Sequence, residues 1–280
     1  MMGDNPATGV VIYYNLPASP DTSQAMKLEI RDAQGKLVRE FSSKEDEDFA
    51  KYPGGPDPDD LLPVKGGMNR FVWNMRAETL PGVPKVFIEG SYDGHKVAPG
   101  KYTAKLTYKS TPKSTTFSIL PDPRIEASAA DYAEQQRVLT LVEDKVKEIH
   151  GAVLDMRKAR KQLSELATLL KEKPEMKAVA DTAKVLVKNL KIWEEKLVQN
   201  KSESNDDVIN FPNMLSADYI FVRGELDSNL PLVTNGQKER IRELDAQWAK
   251  LNAEKKGLVK DISAFNALCR EKRIEKVTMP

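Results

Sequence analysis

The residue types that usually carry chemistry are scarce in this chain, and their spacing limits what they can do. There are two histidines, His95 and His150, and one cysteine, Cys269. The histidines lie far apart and no H-E-x-x-H occurs, so the usual zinc ligand sets are not predicted. A lone cysteine cannot close a disulfide within the chain. Cys269 falls on an apolar helical stripe, which predicts a buried, inert thiol. Gly90-Ser91-Tyr92-Asp93-Gly94 has the wrong spacing for a nucleophile elbow, and neither a Walker loop nor a dinucleotide fingerprint is found. Lys158-Ala159-Arg160-Lys161 reads as a solvated helix face with acids nearby. Asn200-Lys201-Ser202 matches a glycosylation triplet.

Carboxylates are plentiful. Glu45-Asp46-Glu47-Asp48 and Asp57, Asp59 and Asp60 crowd the loop 42–65. Clustered carboxylates can hold Ca²⁺, but the EF-hand spacing is missing, so the loop reads as solvated and as a place for a partner contact. A carboxylate pair for glycoside hydrolysis remains open on sequence alone. No residue is assigned a catalytic, cofactor-binding or metal role, and no cofactor is expected.

Charge narrows the partners. The 280 residues hold 43 Lys and Arg against 42 Asp and Glu. Residues 1–121 hold 15 of each sign, which leaves 28 basic and 27 acidic residues in 122–280. Neither half has the positive excess that a phosphate backbone demands, so nucleic acid is not an expected partner. No apolar run is long enough to span a membrane. Met1-Met2-Gly3-Asp4-Asn5-Pro6 lacks a basic stretch followed by an apolar one, so no signal peptide is read there. The expectation is either a cytoplasmic protein or a piece of a longer exported one.

The elements that would position these residues divide at Leu120-Pro121-Asp122-Pro123-Arg124, where two prolines forbid both ladder and helix. Residues 1–121 hold 12 of 17 prolines, 11 of 15 glycines and 12 of 19 aromatics. Period-2 runs occur at Val10–Leu16, Met26–Ile30, Lys36–Phe41, Phe71–Met75, Tyr102–Tyr108 and Phe117–Ile119. A short apolar run, Val86–Ile88, makes a seventh strand. Asp32–Gly35 is read as a hairpin turn and Pro99-Gly100 as the centre of a type II turn. Seven short strands with turns between them predict an immunoglobulin-like β-sandwich over 1–121, with Trp73 in its core.

Past the prolines the period changes to 4-3 spacing. It runs Val142, Val146, Ile149, Val153, Met156, Arg160, Leu163, Ala167 and Leu170 in a first helix capped by Ser128. A second carries Met176, Val179, Ala183, Leu186, Leu190, Trp193 and Leu197. Residues 213–229 make a shorter helix, and Thr234 caps a last one with Ile241, Leu244, Trp248, Leu251, Lys255, Leu258, Ile262, Phe265 and Cys269. Such seams predict an elongated antiparallel three- to four-helix bundle over 122–280, one chain satisfying its own apolar faces as a monomer. Arg160 and Lys255 interrupt the seams and are expected to snorkel or to pair with carboxylates.

Several phrases of the first half carry a resemblance. They are Asn5-Pro6 with Gly9–Tyr14, Leu28–Asp32 with Gly35–Arg39, Gly67–Arg76, Ala98–Tyr102 and Asp122-Pro123-Arg124. Together they resemble the C-terminal region of bacterial exported proteins with BNR/Asp-box repeats, described as sortilin-like (VPS10-type) or glycosyl-hydrolase-like. The hairpin and the A-P-G-x-Y turn are also similar to the Ig-like domain of flagellar hook-capping proteins. The resemblance implies a C-terminal accessory region, exported as part of a longer precursor, whose upstream β-propeller is its partner and does the hydrolysis or ligand binding. It adds a protein or glycan ligand as a further partner, and it transfers no site residue. The alternative is a glycoside hydrolase with its carboxylate pair between the two halves; a third reading is a stand-alone cytoplasmic scaffold.

Overall fold

A computed structural model describes residues 5–272, 274, 277 and 278. The opening residues 1–4, read above for a leader, lie outside the described residues. Six strands come first: β1 (Val10–Leu16), β2 (Lys27–Asp32), β3 (Leu37–Ser42), β4 (Gly67–Trp73), β5 (Gly100–Tyr108) and β6 (Thr111–Ile119). Four helices follow: α1 (Ala129–Leu170), α2 (Lys177–Glu195), α3 (Leu215–Leu226) and α4 (Asn235–Glu271), with single 3₁₀ turns at Pro174–Met176 and Asn205–Ile209. The chain is thus β followed by α, and the change falls at the double proline.

The strands form two antiparallel sheets, β1–β4 and β3–β2–β5–β6. Alternation sends Tyr14, Leu16, Phe71 and Trp73 of the first sheet into one apolar cluster with Leu28, Ile30, Phe41, Tyr102 and Ala104 of the second. Phe41 and Phe71 meet edge-on at 4.7 Å, and Trp73 meets Tyr102 at 5.9 Å. Trp73 is fully buried and donates to the Arg76 carbonyl. The β2–β3 turn closes as its sequence predicts, with Gly35 at φ +81° and the Asp32 carboxylate accepting from Gln34 and Lys36 N–H groups.

Two expectations for the first half need correction. Gly100 is not among the residues with positive φ, so Pro99-Gly100 is not a type II turn; β5 simply starts there. Val86–Ile88 forms no strand either. The segment 76–96 is instead a strap. Its Leu80, Val83, Val86, Ile88 and Tyr92 are buried in the helical cluster, not between the sheets. A short apolar run between Gly and Pro looks the same in either role, because what distinguishes them is the partner surface.

α1 and α4 start where their caps predict, whereas α2 and α3 have no side-chain cap bond and α3 is shorter than the 213–229 expected. Ser128 and Thr234 each form a capping box, with Asp131 and Gln237. α1 ends at Leu170, ahead of Pro174. At 1.5 Å per residue α1 and α4 extend about 63 and 55 Å. α1 packs on α2 and α3, and α4 packs on the same two helices. The predicted seams are the buried faces of one cluster, Leu163, Leu190, Leu197, Ile262 and Cys269 among them. Arg160 pairs with Glu194 on α2, and Lys255 lies over the Trp248 ring at 5.9 Å.

Candidate functional site

The strap decides which surfaces meet. Arg76 Nη1 bonds the Asp227 carboxylate at 2.7 Å, and Lys96 N–H donates to the same group at 2.9 Å. Between them lies a buried ionic cluster. Glu143, on α1, accepts from the His95 backbone N–H and meets His95 Nδ1, both at 2.8 Å. Arg223, on α3, stands 3.5 Å from the same carboxylate and donates to the Asp93 carbonyl. Glu143 and Arg223 are each only 3% exposed, so the pair is shielded from solvent screening.

The second histidine holds the other end of the strap. His150 Nδ1 lies 2.6 Å from the Pro81 carbonyl, so that nitrogen donates. Its Nε2 therefore accepts from the Ser216 hydroxyl. The arrangement has the bonding pattern of a nucleophile, a base and an orienting group. Both side chains are completely buried, however, and neither lines a cavity described below. Burial holds the His150 imidazole below its ordinary pKa and so neutral. The pair serves packing: it satisfies a strap carbonyl inside the core. Cys269 is likewise buried, with its thiol pushed up by desolvation.

A cleft of about 950 Å³ opens between the loop after β3 and the strap, beside α1. One wall is the end of β3 and the loop 44–61, the other is strap residues 78–84, and Leu154 of α1 contributes to the lining. Its lining carries Glu40, Glu45, Asp46, Asp48, Asp57, Asp59, Asp60 and Glu78 against Lys44 and Lys51. Phe41, Phe49 and Tyr52 add aromatic surface. Gly54, at φ +70°, lets the loop lie against Phe87; a Cβ there would sit 2.2 Å from that ring.

Two carboxylates of the cleft have unlike surroundings. Asp59 is ion-paired to Arg39, a buried cation whose Nη1 donates to the Ala77 carbonyl at 2.8 Å and Thr79 Oγ1 at 2.9 Å. Glu78 accepts from the Glu40 N–H at 2.7 Å, yet burial pushes its carboxyl above the usual range, and the Asp59 charge adds to this. The acid-rich loop therefore does border the junction of the halves. Among the described residues no three His, Cys, Asp or Glu converge as metal ligands. Asp46 is engaged in its own turn, accepting from the Asp48 N–H. Asn200 of the glycosylation triplet bonds Arg157 and Glu194.

Comparison with protein-family models, with curated proteins and with solved structures finds no match.

Proposed function

We propose that the chain is a non-catalytic accessory and interaction region: an immunoglobulin-like sandwich and an elongated antiparallel bundle, locked together by the strap and presenting the cleft that the strap and the acidic loop wall. The observation that carries this reading is the cleft itself, acidic and partly aromatic, walled by the loop and the strap of the first half with Leu154 of α1 in its lining. Eight carboxylate residues against two lysines favour a cationic ligand, such as a basic protein segment, and the aromatic rings suit a glycan. In the arrangement that the family resemblance implies, the region belongs to an exported chain and stands beside an upstream β-propeller. An open reading frame with propeller repeats and a signal sequence ahead of Met1 supports that context; a stand-alone frame contradicts it.

A second reading is a glycoside hydrolase, with Glu78 as the general acid and Asp59 as the partner carboxylate. It is favoured by the burial of Glu78 beside an Arg39-paired carboxylate, since unlike environments separate the two roles. One experiment divides the readings. Oligolysine and neutral oligosaccharides are titrated into the protein, and aryl glycosides are assayed in parallel. Saturable binding that weakens in Asp57→Asn and Glu78→Gln, without turnover, is the accessory outcome. Turnover that is lost in both Glu78→Gln and Asp59→Asn is the hydrolase outcome.

A further inference from the structure

We propose that the recess where α1, α2 and the strap meet binds a tetrahedral oxyanion, the phosphate or sulfate group of a small ligand. This is a second site, separate from the acidic cleft and of opposite charge. The recess has a volume of about 390 Å³ and is lined by Lys85, Arg157, Arg160, Lys191, Glu194 and Asn200. Four cations against one carboxylate leave an excess of three positive charges in a concave surface.

The single carboxylate is the reason the cations are in place. Glu194 is 2% exposed. Its Oε1 takes Arg157 Nε at 2.8 Å and Nη2 at 2.6 Å, while its Oε2 takes Arg160 Nη1. Arg157 also gives Nη1 to the Pro84 carbonyl and Nη2 to Asn200. A guanidinium has five N–H donors. Arg157 is nearly spent in holding the strap to α2. Arg160 makes one hydrogen bond among the described residues, so most of its fork is uncommitted and it is still 27% exposed. A planar fork held by a buried carboxylate is preorganised for a phosphate or sulfate, and the side-chain ordering is already done.

Lys85 supplies the second independent feature. It follows the carbonyl that Arg157 grips and has φ +63°, a conformation that a lysine rarely takes. The bond to Pro84 helps fix this backbone. The strap thus places an exposed ammonium at the mouth of a recess that already contains two guanidiniums. Among the described residues Lys191 pairs only with Glu195, one helical turn on, at 3.7 Å. Charge of one sign gathered on three separate elements is what a solvated helix face does not produce.

The test is calorimetric titration of inorganic phosphate, and of sulfate, into the full chain at about 0.15 M KCl, where exposed charges are screened. One saturable site with a Kd on the order of 1 mM or tighter is expected. Arg160→Gln should weaken it about tenfold, and Lys85→Gln about threefold, as loss of one charge-assisted contact each. Lys85 is exposed, so its variant reads binding even where Arg160→Gln alters the melt. Glycerol 3-phosphate distinguishes the sources: binding of both assigns a phosphoryl group, binding of phosphate alone assigns the free ion, and either supports the site. Absence of saturation at tens of millimolar anion, or unchanged affinity in both variants, overturns it.

Discussion

Glu143 is the residue on which the junction depends most. It satisfies two groups of His95 and faces Arg223, all away from water. Removing one partner of a buried pair leaves the other desolvated and unpaired, which costs about 3–5 kcal/mol. Glu143→Ala is therefore expected to lower unfolding stability by that amount in urea titration, while Glu134→Ala, which removes only surface ion pairs, changes it little. His150 gives the junction a pH dependence. Its folded pKa is depressed, so protons bind the unfolded chain first. Its contribution is complete above about pH 6.5 and is lost progressively as pH falls below that. Stability measured from pH 7.5 to 5 should fall more in the wild type than in His150→Asn, whose side chain cannot take up the proton. Neither histidine's role was legible in the sequence. His150 sits beside a seam position and His95 in the irregular strap, and their partners are 48 to 69 residues away.

At the scale of elements, legibility followed local rules. The helix caps, the hairpin at Gly35 and the 4-3 seams are each set by residues within a few positions of one another, and each forms where expected. Arg160 and Lys255 interrupt the seams; Arg160 pairs with a carboxylate, Glu194, as expected, and Lys255 lies over the Trp248 ring. The strap escaped because its apolar residues are spaced irregularly and its bonds run mostly to side chains of distant helices. The one local hint was its glycines. Gly94 packs so closely on the strap's own start that an added Cβ would lie 2.4 Å from Ala77 backbone and 2.5 Å from the Glu78 carbonyl. Backbone must move to admit it, so Gly94→Ala should cost about 2 kcal/mol or more, read as a lowered midpoint of thermal unfolding. The acidic loop was recognised as unusual, but the cleft it walls depends on the strap, and so could not be read from the loop alone.

For the whole molecule, the strap means that two apolar clusters are separate in composition but shared in chain. Leu80, Val83 and Val86 belong to the helical cluster, although strands on both sides of them build the other. Unfolding the sheets must pull at the strap, and unfolding the helices must release it. The strap wall of the acidic cleft is held by α1, through His150 on the Pro81 carbonyl and Arg157 on the Pro84 carbonyl. The most direct measurement follows urea unfolding with two reporters in one Trp193→Phe, Trp248→Phe background: Trp73 fluorescence for the sheets and far-ultraviolet circular dichroism for the helices. Coincident transitions with one midpoint are the predicted result. A sheet transition well separated from the helical one, each with its own midpoint, would contradict the claim that the strap makes the two halves one cooperative body.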